Sequence, residues 1–365
     1  MTGEAPARVI SALDSHRAQA ATERRAVTAW ADAAVPVIAG WLLAVVGLDL
    51  VVTRLFLRLA IFIPKSDAVG NLVGIVARVA AVVDTLVPVV AVLLCAVLLA
   101  SGTNRRLPLA WQLGIVAASG VAAGGFALTA LPPTPTGSFV LQSLTAVAAI
   151  LLAMPACRVA GDPLVRFALI VLGAGTALAA LARVVEAVAA AGGPAGAGVP
   201  LALVLAGELA FVAGALAAGL AGLLSVGPAG LGPVGLRGLA RHRSIAVGSG
   251  VLRSAAIAGG LVAILVLGAA SSVPATASII LIWSVGLVSG LVPLPLAAFT
   301  AGLAVTGLIV LASGRRELAI GLGTVLLAGY GLAASGLVFA GLLGLALASR
   351  ATWLAATPSA SDAGT

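Results

Sequence analysis

The chain has 365 residues, of which 61% are hydrophobic and only 9% charged, with a mean hydropathy of +1.21. A soluble domain carries nearer ~25% charged residues, so the composition describes a polytopic membrane protein. The net charge of +8 does not point to nucleic acid, because the arginines are scattered through short loops, as a cytoplasmic loop bias requires. One basic residue in the whole chain, Lys65, is lysine, which reads as coding bias.

Cofactor chemistry finds little support. His16 and His242 sit in polar segments and share no ligand cluster, so neither zinc nor haem is expected. Cys95 and Cys157 lie in apolar runs and read as packing residues. No HExxH, GxSxG or GxxxxGK[ST] pattern occurs, so the chain is read as a non-enzyme. Runs of ~20 apolar residues follow one another and alternating strands are absent, which gives an all-α transmembrane bundle and excludes a β-barrel.

Residues 1–32 form a polar arm with Arg8, Arg17, Arg24 and Arg25. Its polarity rules out a cleavable leader, and the arm is expected to be partly helical and cytoplasmic. A first span covers Ala33–Val52, followed by an interfacial piece with Arg54 and Arg58 that ends at Pro64. Between Ala68 and Ala100 the chain is longer than one crossing; a second span is expected at Val83–Ala100, with Asn71–Ala81 at the interface or entering as a kinked first half.

Spans three and four are expected at Leu107–Leu131 and Phe139–Cys157. Pro163–Gly227 then makes a hairpin of two spans around AGGPAGAGVP (Ala191–Pro200), and a seventh span is expected at Val247–Ala270. Ala277–Ser313 is uncharged and broken by LVPLPL, either two short spans or a re-entrant element. Leu318–Ser349 reads as the last span, with a polar tail at 350–365. The total is nine or ten helices.

Placing the N-terminus in the cytoplasm puts twelve basic residues inside against five outside. The location that follows is multi-pass in the plasma (inner) membrane, while the side of the C-terminus stays open. VLLASGTNRRLPLA (Val97–Ala110) resembles VLASGRRELA (Val310–Ala319), a weak sign of duplication between 33–226 and 247–349.

Ionisable residues at membrane depth cost roughly 2.5–3.5 kcal/mol on insertion scales and mark the candidate sites. In the hairpin, Arg183 and Glu208 each stand about a dozen residues from the centre of the turn, between Ala195 and Gly196, and Glu186 is one turn from Arg183. An Arg183–Glu208 or Arg183–Glu186 pair is therefore expected, with Glu208 as the coupling carboxylate or the pair as a structural pin. Asp49, Arg78 and Asp84, with Arg54 and Arg58, would form a charged vestibule or simply snorkel. Gly120–Gly124, Gly331–Ser335 and Gly336–Ala340 are expected helix contacts.

Two functions remain open at this stage. One is a transporter of a small solute using the Arg/Glu pair, without cofactor. The other is a non-catalytic structural or accessory subunit of a larger membrane complex. The lipid bilayer is the expected partner, with other membrane proteins on Gly/Ala-rich faces and no nucleic acid.

Overall fold

The structure, a computed structural model, describes residues 4–48, 66–102, 107–130, 135–190, 198–225, 294–312, 314–330 and 338–357. They form nine helices: α1 (Glu4–Leu48), α2 (Asp67–Ala100), α3 (Leu109–Ala130), α4 (Pro135–Val159), α5 (Pro163–Ala190), α6 (Gly198–Leu224), α7 (Leu294–Ala312), α8 (Arg316–Tyr330) and α9 (Val338–Ala356). Seven are long and apolar enough to cross a membrane, and no strand occurs among the described residues. The chain is an integral membrane protein with a helical bundle. The expected seventh span falls in 226–293, outside the described residues.

Chain order is also spatial order. Each helix from α1 to α8 packs on the next, and α8 closes back on α1. Inside this ring stands α9, which touches α1, α2, α3, α4, α5 and α8. Its apolar stretch is 72% buried, against 28–50% in the other candidate spans. Leu342, Leu343, Leu345, Ala346, Leu347 and Ala348 are all fully enclosed, so α9 is apolar on every side because it has protein on every side.

Two of the expected boundaries change. Asp67–Ala100 is one continuous helix with Pro88 inside it, started by Ser66, whose Oγ accepts from Val69 N–H. Its 34 residues span about 51 Å, longer than the ~30 Å hydrocarbon layer, so the excess is carried beyond the bilayer or taken up by tilt. The stretch Leu318–Ser349 is two helices, α8 and α9, with 331–337 between them outside the described residues. They pack antiparallel: Gly321 lies against Gly344 and Ala348, and Gly341 against Ala328. A Cβ at Gly321 would come 2.5 Å from Ala348 N and 2.8 Å from Gly344 O, which is why glycine is needed there.

LVPLPL also resolves locally. Its second half opens α7, with Pro295 in the first turn, where the missing N–H has no helical partner to lose. Residues 277–293 lie outside the described residues. At the α6–α7 crossing an added Cβ on Gly222 would run into the Gly307 backbone, so the two helices meet at backbone distance. Gly120 and Gly124 face Leu144 and Leu141 of α4, an internal contact; Gly331, Ser335 and Gly336 lie outside the described residues.

Buried threonine hydroxyls such as those of Thr176 and Thr324 bond within their own helix. Thr176 donates to Leu172 O at 2.9 Å and Thr324 to Ile320 O at 2.8 Å, the usual answer to a hydroxyl with no water within reach.

Candidate functional site

Of the two pairings expected for Arg183, the one with Glu186 forms. Arg183 Nη1 meets Glu186 Oε2 at 3.0 Å, one turn away on α5, and both side chains are about two-fifths exposed. Glu208 is buried on α6 at another level. Gly207 packs against Gly175 O, Ala179 N and Leu178 Cβ, and Gly175 against Ala210 and Phe211. That register sets Glu208 level with residues near 177, about six residues from Arg183, or on the order of 9 Å along the axis. The depth match assumed arms of equal length about the turn; the small-residue contact between α5 and α6 sets the register instead.

The second candidate cluster is mostly out of view. Asp49, Arg54 and Arg58 lie outside the described residues, as does the side chain of Asp84. Arg78 is exposed on α2.

A different set of charges does come together. Arg350 lies six residues before the end of α9, and its side chain is 5% exposed. Its Nη1 donates to Glu317 Oε1 at 2.6 Å, and its Nη2 to Asp32 Oδ1 at 3.1 Å and Ser101 Oγ at 3.4 Å. The four residues come from α9, α8, α1 and the cap position after α2. Deeper by one turn, Trp111 of α3 donates its indole N–H to Ala346 O at 3.1 Å. Five helices are therefore tied together by polar contacts at one end of the bundle.

The placement follows from local structure. Glu317 is in the first turn of α8, where a carboxylate complements the helix dipole. Ser101 is where α2 stops, its backbone N–H still bonded to Val97 O. Asp32 is on α1, two residues past the exposed Trp30, and an exposed tryptophan suits a bilayer boundary. Arg350 brings a planar fork that can serve two carboxylates at once. Asp32 is 36% and Glu317 24% exposed, so the guanidinium is enclosed while its partners reach toward water.

A cavity of about 600 Å³ adjoins this layer. It lies between the end of α4, the start of α5, the start of α8 and the end of α9. Asp162 caps α5, its Oδ1 accepting from Leu164 N–H at 2.9 Å and Val165 N–H at 3.4 Å. Arg166 folds back onto Ala160 O.

Sequence reading missed Arg350 because the polar tail was begun there. The signal was present: ATWLAA (Ala351–Ala356) is still apolar, and an arginine inside a continuing apolar run has to be paired. Ser101 and Glu317 come from the two similar stretches at Val97–Ala110 and Val310–Ala319.

Among the described residues no group of three or more His, Cys, Asp or Glu is arranged to hold a metal ion. No family model matches the chain, and neither a curated protein nor a solved structure is similar to it.

Proposed function

We propose that this protein is a membrane transporter of a small solute, and that the Arg350 cluster is the latch of one of its gates. The observation that carries this reading is the enclosed Arg350 guanidinium holding Asp32, Ser101 and Glu317 of three surrounding helices onto the central one. An access gate needs contacts that close firmly and still open reversibly. Charges at the bilayer edge meet both needs, because separated partners regain water. Glu208, buried near the middle of α6, stays our candidate for a coupling carboxylate, and we assign no enzymatic role.

We infer that the latch face is cytoplasmic. Arg24, Arg25, Arg158, Arg166, Arg315 and Arg316 lie toward this end of their helices, with Arg78 and Arg183 toward the other. Because α8 and α9 form a hairpin, the start of α1 and the end of α9 share that face in this reading.

A second reading, a rigid accessory subunit, draws on the backbone-distance contact of Gly222 with Gly307. Helices locked that closely do not slide past each other easily.

Native Cys95 separates the two. It is buried in the core on α2, about 9 Å deeper than Ser101 by helix rise. In a Cys157→Ser background, a membrane-impermeant maleimide is applied from the latch face. In the transporter reading, Arg350→Gln labels Cys95 at least about tenfold faster, since each ~1.4 kcal/mol taken from the closed state shifts its equilibrium tenfold. Labelling unchanged in a folded Arg350→Gln protein overturns the gate and leaves the scaffold.

A further inference from the structure

We propose that the cavity between α4, α5, α8 and α9 binds the phosphate headgroup of an anionic phospholipid, with Arg315 and Arg316 as its cationic wall. The inference rests on the membrane nature of the chain and not on the gate.

The charge of the lining decides the sign of the ligand. Four charged side chains border the cavity: Asp162, Arg315, Arg316 and Glu317. Both carboxylates are already engaged, Asp162 with the α5 backbone N–H groups and Glu317 with Arg350. Arg315 and Arg316 are exposed and form no ion pair among the described residues. The uncommitted charge is therefore positive, carried by groups whose planar donors fit phosphate oxygens.

The rest of the lining decides the class. Val159, Val165, Leu318, Leu354 and Ala355 line the same cavity with apolar surface. A free anion has no use for that surface, whereas the first methylenes of an acyl glycerol do. The volume, about 600 Å³, falls within the ~300–1,000 Å³ typical of small-molecule sites. The position also fits, because the cavity lies where four helices end. Basic pockets between helix ends are where anionic lipids are held.

The test uses the full chain in nanodiscs of phosphatidylcholine, alone or mixed with phosphatidylglycerol, reading the unfolding temperature and the bound lipid by mass spectrometry. Phosphatidylglycerol is expected to raise the unfolding temperature and to stay bound. The Arg315→Gln/Arg316→Gln double variant weakens that binding about thirtyfold, from roughly 1 kcal/mol per arginine. Ala355→Trp narrows the cavity with both charges kept, and should weaken the lipid effect. It carries the test if the double variant does not fold. Equal stability in the two lipids overturns the proposal, as does a lipid effect undiminished by Ala355→Trp. Inorganic phosphate added to phosphatidylcholine discs reads the other source: an equal, arginine-dependent shift from phosphate alone overturns the lipid assignment.

Discussion

Two ion pairs of the same chemistry sit at opposite ends of the bundle and differ in nearly everything else. Arg183–Glu186 joins two residues of one helix, half in solvent, at 3.0 Å. Arg350 joins three other segments of the chain, and its guanidinium is enclosed. The first ties α5 to itself and adds little, since exposed pairs one turn apart contribute about 0.2–0.5 kcal/mol. The second ties α1, α2 and α8 to α9. What separates them is the number of elements each one joins.

The contrast is sharpest when each pair is broken. Arg350→Met leaves Asp32 and Glu317 without the guanidinium they share, and because both carboxylates keep partial access to water the cost lies at the lower end of the about 3–5 kcal/mol for breaking a buried pair. A large fall in the unfolding temperature of the purified protein is the expected outcome; a wild-type value would show that the cluster does not hold the fold. Glu317→Gln keeps the shape and leaves Arg350 with Asp32 and Ser101. A smaller loss is expected, about 1–3 kcal/mol for a charge-assisted bond, and a loss as large as that of Arg350→Met would mean that Asp32 contributes nothing. Arg183→Gln should cost less than ~0.5 kcal/mol and become undetectable in high salt. If it destabilises as much as Arg350→Met, the comparison fails.

The two sites also differ in how far they were legible. Arg183–Glu186 was readable because three-residue spacing on a helix fixes a contact without any tertiary information. The Arg183–Glu208 alternative needed the register of two helices, and that register turned on the approach of Gly207 to Gly175. Gly120 and Gly124 gave a correct hint of a close contact, but nothing in their spacing named α4 as the neighbour. Arg350 escaped for another reason. A hydropathy boundary was drawn at the first charge, although the helix continues to Ala356. Its partners stand 318 and 33 positions away in the chain, a separation that local spacing does not reach.

The sequence by itself determined that this is a helical membrane protein, since 61% hydrophobic residues in runs of ~20 leave no other way to satisfy the backbone in hydrocarbon. It also determined the existence of most of the helices, because hydrophobic length is a local property. Only the tertiary structure decided which helix is central. Lipid is as apolar as leucine, so a helix that faces lipid and one that faces protein carry nearly the same composition. It also decided which charges meet, because a guanidinium enclosed at a helix end takes its partners from whichever segments the packing brings there.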